Sequence, residues 1–179
     1  MSDWRRDLPA EGLARAEIRI KYGGLSIRGA GVGAPGSVEG EGRVEVEILG
    51  DVLYVRQPDD DQHEVEVSLD LPASVRELSC RVGSGDIALS GGRGSVEART
   101  GRGDVEAAGW AGPLSLCTGE GDVEVEEAQA ELSLTTGKGS IKVGGAPGKV
   151  EAKTGQGDIE VEGAQADLTL TTGQGDVKV

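Results

Sequence analysis

Phenylalanine is absent from this 179-residue chain, and two tryptophans and two tyrosines make up its whole aromatic complement. Trp4, Tyr22, Tyr54 and Trp110 are spread too widely along the sequence to form a stacking platform, which sugar and single-strand nucleic-acid sites normally use. There is one histidine, His63, and no nucleophile motif, so catalysis lacks its usual parts. Basic residues are also scarce, 18 against 32 acidic ones, for a formal charge of -14. That balance argues against nucleic acid and against anionic membrane surfaces as partners. The opening Met1-Ser2-Asp3-Trp4-Arg5-Arg6 leads to Asp7 and Glu11 rather than to an apolar run. We expect neither a signal peptide nor a transmembrane span, and hence a cytoplasmic protein.

Glycine is abundant, with 31 residues, and much of it is periodic. Gly-x-Gly recurs at Gly83-Ser84-Gly85, Gly101-Arg102-Gly103, Gly119-Glu120-Gly121, Gly137-Lys138-Gly139, Gly155-Gln156-Gly157 and Gly173-Gln174-Gly175, each 18 residues after the last. A fixed period without insertions is the mark of a solenoid, one coil per repeat. Aligned by that period, Leu78, Val96, Leu114, Leu132, Val150 and Leu168 share one apolar column, and Cys80, Ala98, Leu116, Leu134, Ala152 and Leu170 share the next. After the glycine turn come Ile87, Val105, Val123, Ile141, Ile159 and Val177, then Leu89, Ala107, Val125, Val143, Val161 and Val179. Period-two alternation rich in β-branched residues predicts two short strands per coil. A core of Val, Leu and Ala leaves no lumen, so binding belongs on an outer face or at an end.

The fold expected is all-β: a single-stranded parallel β-solenoid (β-helix) of 18-residue coils, preceded by a β-strand and hairpin segment. We divide the chain into a tail or short helix at 1–16, a β segment at 17–71 that caps the solenoid, and repeats at 72–179. Gly50-Asp51 between Ile48 and Val52 reads as a hairpin turn. Leu69 and Leu71 fall 18 residues before Ile87 and Leu89, which places their strand directly beneath the first repeat. Cys80 lies in an inward column and Cys117 in the outward column of Arg81, Arg99, Thr135 and Lys153, so the two thiols should stay unpaired.

Several patterns raise sharper possibilities. Asp86, Asp104, Asp122, Asp158 and Asp176 form a column that suggests a ladder of oxygen ligands for Ca²⁺. Ser140 interrupts it, and Asp after Gly more simply stabilises a turn through backbone N–H groups. Arg102-Gly103-Asp104 spells an integrin-ligand tripeptide by filling the variable slot of the repeat. Thr100, Thr118, Thr136, Thr154 and Thr172 form a ladder read as structural, and the ice-binding reading of Thr169-Leu170-Thr171 meets a face charged by Glu97, Glu151 and Lys153. Gly29-Ala30-Gly31-Val32-Gly33 has no helix pattern after it and reads as a strand connection rather than a phosphate loop. No cofactor is expected.

Gly24-Leu25-Ser26-Ile27-Arg28-Gly29, the strand ending Leu71-Pro72-Ala73, and the serial Thr-Gly-x-Gly-Asp-Val/Ile repeats together resemble a bacterial β-strand repeat family of unknown function that often carries an adhesin label. The resemblance covers Glu17 to Val179 and implies a β-solenoid without transferable catalytic residues. Bactofilins, cytoplasmic β-helix polymers, are more distantly similar. Members of the first family are usually exported or anchored, which leaves a cell-surface site open as the alternative to the cytoplasm. The leading expectation is a non-enzymatic acidic scaffold that binds a protein partner or itself end to end, its last coil at Lys178-Val179 offering unpaired backbone. The alternatives are an adhesin for glycan or host protein, and a regulatory or stress-response module docking through Trp4-Arg5-Arg6 and Leu8.

Overall fold

The computed structural model describes residues 3–179 and is all-β. Six strands precede the repeats: β1 (Asp3–Leu8), β2 (Arg15–Gly29), β3 (Gly36–Glu41), β4 (Glu45–Leu49), β5 (Val52–Arg56) and β6 (Val65–Leu71). The coils follow in pairs of strands: β7 (Glu77–Ser84) with β8 (Ile87–Ser90), β9 (Ser95–Arg102) with β10 (Val105–Ala108), and β11 (Leu114–Glu120) with β12 (Val123–Glu126). Then come β13 (Leu132–Lys138) with β14 (Ile141–Gly144), β15 (Val150–Gln156) with β16 (Ile159–Glu162), and β17 (Leu168–Gln174) with β18 (Val177–Lys178). The two strands of a coil sit on two faces. Each stacks in parallel on its counterpart one period away, so that Leu114 lies between Val96 and Leu132 and Val123 between Val105 and Ile141.

Alternation decides what is buried. In every coil from β7 to β16 the apolar columns point inward and form one continuous core, while their neighbours face solvent. At roughly 1.5–3 kcal/mol per buried Val, Leu or Ile, this aliphatic stack outweighs any exposed charge pair. The last coil is shallower, with Leu168 and Leu170 half-buried. Trp110 is the exception to the aliphatic filling. Its ring is 1% exposed, packs where Gly92 has no side chain, and donates from Nε1 to the Gly94 carbonyl at 2.9 Å.

The N-terminal segment differs from expectation in two ways. Leu69 is not stacked directly beneath Ile87, because β2 is interposed: Ile27 pairs with Leu69 on one side, while Leu25 and Ile27 pair with Ile87 and Leu89 on the other. β2 is long enough to run through both faces, stacking on β7 and β8 as a complete coil. Its corner, Gly23 (φ +128°), corresponds to Gly85. β5 and β6 form the next layer beyond β2, followed by the antiparallel additions β4 on β5, β3 on β6 and β1 on β3. Between β5 and β6 the ladder has a gap, and the buried Gln57 fills it. Its Oε1 accepts from Lys21 N (2.8 Å) and Tyr22 N (3.0 Å), and its Nε2 donates to the His63 carbonyl at 2.7 Å.

The second difference concerns residues 1–16. Asp3–Leu8 is a strand rather than a helix or loose tail; Met1 and Ser2 lie outside the described residues. Backbone pairing with β3 is reinforced by Trp4, whose Nε1 donates to the Gly42 carbonyl at 3.0 Å, and by burial of Leu8. Trp4 and Leu8 therefore pack against the core and are not free as a docking tail.

Candidate functional site

The chemistry of each coil is concentrated at the corner between its two strands. Gly103, Gly121, Gly139, Gly157 and Gly175 hold φ between +133° and +147°, and a Cβ at any of them would fall 2.0–2.3 Å from the glycine carbonyl of the preceding coil. Glycine is therefore required twice over, by backbone conformation and by the close approach of coils. Beside it, Thr100, Thr118, Thr136 and Thr154 point inward and are buried. Each donates from Oγ1 at 2.9 Å to the corner-glycine carbonyl of the coil before, Thr118 to Gly103 for example. Thr172 makes the same bond from a half-buried position.

The aspartate column does a related task on the outside. Asp104 N donates to Asp86 Oδ1, Asp122 N to Asp104 Oδ1 and Asp176 N to Asp158 Oδ1, all at 2.8 Å. Ser140 N still donates to Asp122 (2.7 Å), but Asp158 N reaches only the Ser140 hydroxyl at 3.4 Å, so the link is weakest where serine replaces aspartate. The column suggested as a Ca²⁺ ladder thus engages one carboxylate oxygen of Asp86, Asp104, Asp122 and Asp158 with the amide of the next coil. Among the described residues no three His, Cys, Asp or Glu side chains gather as a metal-binding group. Arg102 and Asp104 are tied into the stack as well, Arg102 lying 3.8 Å from Glu120 and Asp104 bonding the Asp122 amide.

Charge is balanced in some columns and not in others. At the turn, Glu120 lies between Arg102 (3.8 Å) and Lys138 (3.5 Å), and on the second face Glu160 pairs with Lys178. That contact lowers the Glu160 carboxyl pKa and raises that of the Lys178 ammonium. Lys153 likewise lowers Glu151. The outward column of the β5–β2–β7–β9 face is different: Arg56, Arg19, Arg81 and Arg99 stand in consecutive layers, all exposed. Arg99 is paired with Glu97 at 2.8 Å, and Arg56 lies 5.1 Å from the Tyr54 ring centroid. Among the described residues Arg56, Arg19 and Arg81 make no ion pair within 4 Å. Sequence periodicity shows only the Arg81–Arg99 half of this column, because Arg19 and Arg56 enter through the interposed β2 and its neighbour.

The remaining candidates are local. His63 is exposed and bonds Asp61, whose carboxyl is lowered first by the His63 backbone N–H and then by its ring (2.8 Å). Burial pushes the Cys80 thiol far above its ordinary range, whereas Cys117 is half-exposed; both thiols are free. An open depression of ≈ 630 Å³ lies over β1, β3 and β6, lined by Trp4, Arg5, Glu39, Glu41, Glu66 and Ser68 among others. Among the described residues no helix is long and apolar enough to cross a membrane.

The profile of the Toastrack DUF4097 family matches residues 53–179. No curated protein sequence matches the chain. Among solved structures, the fold is similar to that of a candidate adhesin from Bacteroides fragilis, at 14% identity over 99% of this chain and 96% of that one, TM-score 0.60. It is also similar to a candidate cell adhesion protein from Clostridium sporogenes, at 12% identity over 99% and 97% of the two chains, TM-score 0.51. At such identities the likeness is one of fold. The family profile itself spans the corners, the threonine ladder and the paired strands described above, and the chain belongs to the Toastrack DUF4097 family.

Proposed function

We propose that the protein is a non-enzymatic interaction scaffold: a rigid, acidic β-solenoid that binds a protein partner, another copy of itself included, through its faces and open edges. The observation that carries this reading is β4. It pairs with β5 alone among the described strands, has no strand on its outer side, and presents Leu49 at 54% exposure beside half-buried Val46 and Ile48. An open edge with an apolar side is a template for strand addition. Glu45 and Glu47 on the same strand, and the Arg6 guanidinium bonded to the Val46 carbonyl, restrict which strand can add. Strand addition to such edges is also how copies would join end to end.

The core supports a binding role over catalysis. It is filled mainly by Val, Leu, Ile and Ala, and the lone histidine, His63, does not line the cleft over β1, β3 and β6. Cross-linking and affinity capture from the native cell, with fractionation of cytosol and envelope, tests the reading. Capture of a discrete partner by the wild type, lost when Ile48 and Leu49 are replaced by Lys, is the expected result. Equal capture by both proteins removes β4 as the binding edge.

A further inference from the structure

We propose that the Arg56–Arg19–Arg81 column is one half of a lateral self-association surface, and that the other half is the Asp86–Asp104–Asp122 column of a second copy. This rests on the scaffold reading, and names the surfaces that a second copy would use. Stacked like charges oppose the fold, since directly opposed residues of one sign in a sheet are destabilising. In the turn column the chain avoids them by alternating sign, as Arg102–Glu120–Lys138 shows. The two columns named here depart from that alternation, as do Asp3–Glu41–Glu66 and Glu106–Glu124. Arg56, Arg19 and Arg81 are exposed, occupy consecutive layers and have no carboxylate within 4 Å among the described residues. Asp86, Asp104 and Asp122 are likewise exposed in consecutive coils, and each uses one oxygen on a backbone amide while no cation pairs with it.

The geometry suits this pairing for a reason internal to the fold. Both columns repeat at the interstrand spacing of about 4.8 Å, so three arginines of one copy register with three aspartates of another without strain. An extended acidic peptide offers same-side carboxylates about 6.6 Å apart and loses register after one step. Two residues earlier, the flanking columns read Tyr54, Glu17 and Ser79 beside the arginines and Ser84, Arg102 and Glu120 beside the aspartates, with Glu120 already held between Arg102 and Lys138. The guanidinium fork suits a carboxylate with one oxygen still open. Because the two ladders are different surfaces, the contact is heterologous and leaves a free ladder at each side of the pair, so it propagates.

Sedimentation velocity on the full chain tests this at low ionic strength, about 0.01 M, where the Debye length is ~30 Å, and again at about 1 M, where it is ~3 Å. The variants are R19E/R81E, which loses the arginine column, and D104N/D122N, which keeps the amide-accepting Oδ1 but loses the charge. R19Q/R81Q is the milder substitute should the charge reversal fail to fold by circular dichroism. The expected result is wild-type species larger than dimer at low salt that revert to monomer at high salt. Each double variant alone should be monomeric, and their equimolar mixture should form a 1:1 dimer that grows no further, because one partner supplies only aspartates and the other only arginines. A wild type that stays monomeric overturns the proposal, as does a mixture that fails to associate. If both variants assemble like the wild type, this surface is refuted while edge-mediated association stands. If the wild type is monomeric yet retained on heparin in an Arg19- and Arg81-dependent way, the arginine column serves a polyanion and the proposal is wrong.

Discussion

Replacing Thr118 by valine keeps nearly the same shape and deletes one hydrogen bond, which makes it a direct measure of what the threonine ladder contributes. Thr118 is 1% exposed, and its Oγ1 donates to the Gly103 carbonyl at 2.9 Å. The valine leaves that carbonyl without its donor at a corner closed to water, which costs about 1–3 kcal/mol. For a chain of this length that corresponds to a fall in melting temperature of roughly 2–4 °C per kcal/mol. Thr172 provides an internal comparison: its bond has the same 2.9 Å length, but the side chain is half-buried on a shallower coil. Water can replace the lost donor there, so Thr172→Val should cost less than about 1 kcal/mol. Urea unfolding followed by far-ultraviolet circular dichroism, with melting curves beside it, resolves the difference. A Thr118→Val protein within about 0.5 kcal/mol of wild type, or equal costs at the two sites, would refute the view that burial rather than bond length sets the value of this ladder.

Further outcomes follow from the same geometry. Gly121→Ala places a Cβ 2.1 Å from the Gly103 carbonyl at φ +147°, so a loss exceeding that of Thr118→Val is expected in the same unfolding assay. Trp110→Ala empties the space above Gly92 and should cost about 3–5 kcal/mol, with loss of a buried-tryptophan fluorescence signal. Asp59, Asp61, Glu151 and Glu160 all have carboxyls lowered by hydrogen bonds to Lys21, His63, Lys153 and Lys178 respectively. A folded pKa below the unfolded one contributes stability that is present above about pH 4 and is lost as pH falls through the folded value, so melting temperature should decline below about pH 4 rather than near neutrality. A thiol reagent should label Cys117 in the native state and reach Cys80 only after unfolding, because Cys80 is fully buried with its thiolate strongly disfavoured.

The repeat region was legible because each coil obeys two independent rules at once. Leu114 and Leu116 alternate with polar neighbours, and each recurs in the same chemical class 18 residues away, so strand, face and stacking partner all follow from position. The aspartate and threonine columns were legible as positions, and their partners required coordinates. Thr118 bonds backward to Gly103, whereas Asp104 accepts from the amide of the following coil. Neither direction is encoded in residue type. The N-terminal layers were misread for a definite reason. β2 lies 62 residues before the coil it stacks on, Arg15 against Glu77, and that offset does not share the 18-residue period. Periodicity therefore placed Leu69 beneath Ile87 and missed the coil between them. Residues 3–8 failed for lack of any pattern at all, since an edge strand with one buried residue, Leu8, alternates too weakly to be seen.

Local spacing by itself determined the coil, its core columns and its glycine corners, because in a solenoid each residue's neighbours are fixed by a constant step along the chain. Tertiary structure alone decided how β2 threads between β6 and β8, which in turn brings Arg56, Arg19 and Arg81 into one unneutralised column. Non-sequential stacking obeys the same hydrogen-bond and burial energetics as sequential stacking, but it leaves no period behind.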